Sequence, residues 1–184
     1  NRVMLPRKGE KPMKEEELLN LAQEAGFEAA VLPADRVPTD GKFRAFCEEN
    51  RCGQYGANFS CPPTCGSPEQ MRDKILAKQT ALVLKTTWPI ANYQDTVAIL
   101  HGKQTHNRKM LRLNESLGGL CAGGSCCCLC TPCRMKTGES CPYPDLRFSC
   151  MSAYCVDVAE LCKRCGMTFA WDETLLSVYS MILL

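Results

Sequence analysis

The sequence predicts an α/β or α+β fold, a single sandwich domain over 1–184 with a mixed sheet, flanking helices and two cysteine-rich metal-binding loops at 47–65 and 121–150. Three observations predict it. Helical apolar spacing alternates along the chain with short β-rich apolar runs, and the cysteines bunch into two Gly- and Pro-bearing regions between those elements. At 184 residues, one core can form without help from a metal.

The elements follow in order. Leu18, Leu21, Ala22 and Ala25 recur at helical spacing, so Met13 to Ala25 reads as an amphipathic helix closed by Gly26. Phe27 to Leu32 reads as a strand. Ser67-Pro68-Glu69 opens a helix to Lys78, with serine as cap and proline in the first turn. Ala81 to Thr86 is a buried strand closed by Trp88-Pro89. Asn92 to Leu117 reads as a helix whose apolar stripe thins between His101 and Lys109, with Gly102 as a point of division. Ala153 to Cys165 reads as a helix ending at Gly166, followed by strands over Met167–Trp171 and Leu176–Leu184.

Composition narrows the class. The formal charge of +2 argues neither for nor against a polyanionic partner, and no nucleic-acid partner is expected. No apolar run reaches the roughly eighteen residues of a membrane span, and no secretory leader is legible. Fifteen cysteines is an odd number, in a chain longer than most disulfide-stapled domains. Metal-bound thiolates in a reducing cytoplasm are the expectation.

The second region carries the densest signal. Five cysteines fall within eight residues, and Cys127-x2-Cys130-x2-Cys133-x7-Cys141-Pro142 sits across them. Three thiolates at two-residue spacing plus a distant Cys-Pro can wrap a loop around a cubane iron–sulfur cluster, although the ferredoxin run has a shorter final gap. In the first region Cys47, Cys52, Cys61 and Cys65 fall within nineteen residues. Gly53 and Gly56 let that loop turn tightly, and its amides are able to donate to cluster sulfides.

Cys52-Gly53-x-Tyr55-Gly56-x-Asn58-Phe59-Ser60-Cys61-Pro62-Pro63 resembles the signature of an uncharacterised family of predicted metal-binding proteins, largely from anaerobic bacteria and archaea. Gly124-Ser125, Cys130-x2-Cys133, Cys141-Pro142-x-Pro144, Ser149-Cys150-Met151 and Val156-Asp157-Val158 are similar to its C-terminal block, so the resemblance runs from about Phe43 to the end. It implies iron–sulfur binding and no particular reaction. The positions that match are Cys47, Cys52, Cys61, Cys127, Cys130, Cys133 and Cys141.

Rival patterns are weaker. Cys126-x3-Cys130-x2-Cys133 has radical S-adenosylmethionine spacing, but that motif opens large barrels and only about fifty residues follow here. A four-thiol zinc site from Cys130, Cys133, Cys162 and Cys165 needs 28 intervening residues against the usual fifteen to twenty or so. Cys121, Cys126, Cys128, Cys150, Cys155, Cys162 and Cys165 are left over, as buried small hydrophobes or part of a third centre.

His101 and His106 lie about 140° apart on a helix and read as partly exposed residues rather than a ligand pair. Lys103, Arg108, Lys109, Arg112, Arg134 and Lys136 read as a solvated face, with an anion or acidic-partner site as the sharper alternative. Asp157 and Asp172 have no partner that spacing identifies. The expectation is a protein of two [4Fe-4S]-type clusters that passes electrons, alone or beside a redox partner protein. Cys47, Cys52, Cys61 and Cys65 would serve one cluster and Cys127, Cys130, Cys133 and Cys141 the other. An iron–sulfur enzyme with an open iron or a reactive thiol, and a zinc-stabilised interaction module, are the alternatives.

Overall fold

The computed structural model describes residues 13–169 and 172–184. Five strands form one open sheet in the order β1-β2-β5-β3-β4, with β1 at Glu28–Pro33, β2 at Thr80–Pro89, β3 at Leu120–Gly123, β4 at Ser149–Cys150 and β5 at Leu175–Leu183. The first three junctions are antiparallel; β3 and β4 run parallel. Five α-helices accompany them: α1 at Glu15–Glu24, α2 at Arg44–Glu48, α3 at Pro68–Leu76, α4 at Thr96–Leu117 and α5 at Val158–Arg164.

The apolar runs of β2 and β5 are continuous because both sheet faces are covered. On one face Ala81, Val83, Ala122, Met181 and Leu183 pack with Met71 and Ile75 of α3 and Leu161 of α5. On the other, Leu82, Leu84, Cys121 and Ile182 meet Leu18 and Ala22 of α1 and Met110 and Leu113 of α4. Alternation along each strand assigns neighbouring residues to opposite layers. The expected α+β sandwich with a mixed sheet is therefore what forms.

Local signals account for the helix ends. Ser67 Oγ accepts from Gln70 N at 3.3 Å and Gln70 Oε1 accepts from Ser67 N at 2.9 Å, a reciprocal cap with Pro68 at the first position. Asp95 caps α4 by accepting from Ala98 N at 3.0 Å, so that helix starts after the expected Asn92. Asp157 caps α5 the same way on Glu160 N at 3.0 Å, and Asp172 turns the chain into β5 by accepting from Thr174 N and Oγ1. Both aspartates thus have structural partners.

Three expectations need correction. Met167–Phe169 carry no regular structure, and the remainder of the strand expected at Met167–Trp171 lies outside the described residues. Helix α4 runs unbroken through Gly102, where a Cβ would stand 3.1 Å from the Trp88 ring and from Leu176. Glycine there permits close packing rather than a break.

His106 is fully buried, not partly exposed. The stripe of α4 thins because its inward face is polar. His106 Nδ1 pairs with Thr86 Oγ1 and Nε2 with Ser180 Oγ, both at 2.7 Å, and Trp88 Nε1 donates to the same Thr86 at 2.8 Å. Burial, helped by the Lys109 charge, lowers the imidazole pKa to about 3. The unfolded chain takes up a proton here below pH ~6.5 while the native chain does not. The contribution is complete above that pH and is lost as pH falls towards 3. Urea unfolding at a series of pH values below 6.5 is expected to fall in free energy up to about 1.4 kcal/mol per pH unit more steeply in the parent than in His106→Gln. Parallel slopes would refute a neutral buried His106.

Candidate metal centre

The first cysteine region begins on α2, which carries Cys47, and ends just before α3. Gly53 and Gly56 take positive φ of 67° and 64°, as the tight turns require. Their amides are already used: Gly53 N donates to Asn50 O at 3.0 Å and Gly56 N to Pro62 O at 2.8 Å. These two amides hold the loop in shape.

The second region is launched from β3 by a turn that α4 holds. Asn107, fully buried, accepts from Gly124 N at 3.0 Å and donates to Ser125 Oγ at 2.9 Å. A Cβ at Gly124 would meet Val178 at 2.3 Å, and one at Gly123 would meet Phe148 at 2.4 Å, so the chain leaves the sheet flush against it. Cys126, Cys127 and Cys128 follow at once, all half-buried. Cys133 and Cys141 flank a 3-10 turn at Arg134–Thr137.

The two regions, far apart in sequence, lie against each other. Asn58, buried, donates to Cys127 O at 3.4 Å and accepts from Ser60 N at 2.9 Å. Cys61, buried next to Ser60, is electrostatically paired with Cys126. That pairing pushes the Cys61 thiol up and holds Cys126 down, with Lys103 and Lys136 adding to the pull on Cys126. Burial pushes the Cys150 thiol up to about 12, reinforced by Cys47, Cys126 and Cys52 nearby. Cys47 is raised by burial against the pull of Arg44, with Cys155, Cys52 and Cys65 also in reach.

Arg44 is a buried cation at this cysteine-rich face. Its Nη2 donates to Ala153 O at 3.1 Å and its Nη1 points at Cys65 Sγ at 4.0 Å. Its buried Nε has no partner. Burial opposes the charge, but Cys155 and Cys65 more than offset that and hold the guanidinium above its usual range. Cys155 itself sits at a positive φ of 54°, where a non-glycine residue is uncommon.

Of the expected first set, Cys47, Cys52, Cys61 and Cys65, Cys47 interacts electrostatically with Cys52 and Cys65, and Cys61 with Cys52 as well as with Cys126 and Cys150. Of the expected second set, Cys127 lies by Cys130 as well as Cys128, and burial raises its thiol against the Leu129 and Phe148 amides. Burial raises the Cys128 thiol against the pull of Arg108 and Asn107. Lys103 and Lys136 act electrostatically on Cys126 and Arg108 on Cys128, while Lys109 donates to Gly26 O at 3.0 Å over the Phe27 ring.

Among the described residues no three Cys, His, Asp or Glu side chains close on single-ion geometry. Neither the zinc set of Cys130, Cys133, Cys162 and Cys165 nor the two expected cluster sets, Cys47, Cys52, Cys61 and Cys65 and Cys127, Cys130, Cys133 and Cys141, is brought together as such a group. Helix α5 carries Cys162 into the core instead, against Tyr179. The donors that do gather are thiols with cations behind them, which fits a soft metal bound as an anionic thiolate complex. Neutral thiols become ligands by losing protons, so uptake releases acid.

Sequence reading passed over Arg44 and Asn107 because nothing in the cysteine spacing marks them. Asn58 is the more tractable case, being embedded in the first cysteine motif. Asn58→Leu strands the buried Ser60 amide and is expected to lower the unfolding free energy of the metal-free chain by about 1–3 kcal/mol, read by urea unfolding. No change would mean that the seam does not depend on it.

Among the described residues no helix is long and apolar enough to cross a membrane. No curated protein and no solved structure matches the chain. A family model does match, over residues 30–184, which span both cysteine regions and every strand except the start of β1. The chain belongs to that family, DUF2284, described as predicted metal-binding protein.

Proposed function

We propose that this is an iron–sulfur protein of two [4Fe-4S]-type clusters that transfers electrons in the cytoplasm, alone or beside a redox partner protein. Membership of a predicted metal-binding family supports the metal. The observation that carries the rest is the seam itself, where Asn58 of the first cysteine region donates to Cys127 O of the second at 3.4 Å. Two centres at such a seam would be close enough for an electron to pass between them. Cys47, Cys52, Cys61 and Cys65 would supply one centre and Cys127, Cys130, Cys133 and Cys141 the other. Bound clusters would supply one-electron storage at each. Arg44 on one side and Lys103, Arg108 and Lys136 on the other would offset the negative charge that thiolate ligation brings.

A second reading has its own observation. A cavity of about 160 Å³ opens beside Cys65, with Lys74, Arg147 and Tyr154 among its walls. An iron–sulfur enzyme with an open iron would need such a space for an anionic substrate. A zinc-stabilised interaction module would need neither the cavity nor the cations.

Anaerobic purification with iron, zinc and acid-labile sulfide analysis separates these readings. The expected protein is brown, with iron and sulfide in equal amounts near eight per chain for two cubanes. A colourless chain with stoichiometric zinc and no labile sulfide would refute the proposal. Cys127→Ser and Cys141→Ser are each expected to lower metal content and the thermal midpoint of the loaded protein, because ligand binding and folding are coupled in such loops. Unchanged content and midpoint in both would count against the second centre.

A further inference from the structure

The cavity beside Cys65 is built for a small organic anion. We infer that it binds a carboxylate or phosphate carried on a body no larger than about one ring, with Lys74 and Arg147 taking the charged end and the Tyr154 hydroxyl bonding to it. The site is the one that the open-iron reading invokes, and the inference names its ligand; it holds with or without metal bound.

Distant parts of the chain make the walls. The first cysteine loop contributes Phe59 and Ser60, α3 contributes Lys74, and the chain entering and leaving β4 contributes Arg147, Phe148 and Tyr154. The charge on these walls has one sign. No carboxylate lines the cavity, and among the described residues neither Lys74 nor Arg147 is in an ion pair.

Both cations are nevertheless held in place. Lys74 Nζ donates to Cys65 O at 2.9 Å and approaches Met71 Sδ at 3.3 Å, which leaves donor capacity on the ammonium unused. The Arg147 guanidinium carbon stands 5.9 Å from the centre of the Phe59 ring, a cation–π contact that spends none of its N–H groups. Behind Cys65 the buried Arg44 adds a third positive charge, its Nη1 4.0 Å from Sγ. A guanidinium fork beside an ammonium suits the paired oxygens of a carboxylate or phosphate.

A buried hydroxyl points to the same ligand. Tyr154 is 2% exposed and lines the cavity, and its hydroxyl has no hydrogen bond among the described residues. Among those residues the one sealed side-chain nitrogen or oxygen without a partner is Arg44 Nε, so the Tyr154 hydroxyl has the cavity to bond into. Ser60, also buried, brings a second hydroxyl to the wall. Buried hydroxyls are costly without partners, and an oxyanion accepts from them.

Phe59 and the buried Phe148 provide apolar wall for the rest of the ligand. A closed hole of about 150 Å³ takes one benzene, whereas cofactor-sized ligands need roughly 300 Å³ or more. At about 160 Å³ the cavity fits a single-ring or short-chain acid and excludes a nucleotide.

The test is isothermal titration calorimetry on the full chain, purified anaerobically and assayed for iron and sulfide. The probes are benzoate, phenyl phosphate, the bare headgroups acetate and inorganic phosphate, and neutral benzamide. Benzoate or phenyl phosphate is expected to bind saturably, about tenfold or more tighter than benzamide and than its own bare headgroup. Arg147→Gln and Lys74→Gln are each expected to weaken that anion about tenfold, and Tyr154→Phe about threefold to tenfold. Arg72→Gln, which removes an exposed cation from the same helix α3, is expected to leave binding unchanged. Arg147 and Lys74 are exposed, so their variants read binding rather than folding. Equal affinity for benzamide or for the bare headgroup, or a loss no greater in Arg147→Gln than in Arg72→Gln, overturns the inference. Anion binding by a chain without iron upholds it while the cluster reading falls. A cluster-loaded chain that binds neither aryl anion overturns it and leaves the electron carrier standing.

Discussion

The structure depends on a pair of buried polar residues on one helix, His106 and Asn107. Buried polar groups are costly unless each is satisfied, so a pair that is fully satisfied in one arrangement selects that arrangement. His106 is bonded on both nitrogens, to Thr86 of β2 and Ser180 of β5, which fixes how α4 sits on the sheet. Asn107 spends its amide on the next layer out, the Gly124–Ser125 turn. Position and orientation of the second cysteine region follow from the same helical turn that registers the core.

From that anchor the site assembles by short steps. The turn delivers Cys126 to Cys128 at the sheet's end, and β4 returns with Cys150 alongside β3. Asn58 brings the earlier loop onto them, and Arg44 secures the far side by bonding to Ala153 O. The cysteine regions are therefore one composite surface rather than two independent loops. Cations from α2, α4 and the 3-10 turn surround it, which suits a site whose ligands become anionic when they bind.

Much of the architecture was legible because its causes are local. Ser67-Pro68 with Gln70 caps α3 as its residue types require, and the unbroken apolar runs of β2 and β5 mark strands covered on both faces. Short elements were missed for an equally physical reason. Leu120–Gly123 and Ser149–Cys150 are too brief to show a period, and they exist as strands through pairing with β5 and with each other. Helix α4 was legible at its ends but not in its middle, where an inward face of Gly102, His106 and Asn107 contradicts the rule that buried faces are apolar.

The sequence by itself determined the donor chemistry: thiols in two dense regions, within a family described as predicted metal-binding protein. Ligand type is a property of residue identity, and spacing is enough to show that several sulfurs can converge within one loop. Which sulfurs face which neighbours was decided only by the tertiary structure. Cys61 and Cys126 are 65 positions apart, and Cys150 is a further 24 along. No local period relates them; strand pairing, the pinned turn and the Asn58 bond do. Cys65, an expected ligand of the first loop, is met by Arg44 Nη1 at 4.0 Å, a neighbour that only the fold supplies.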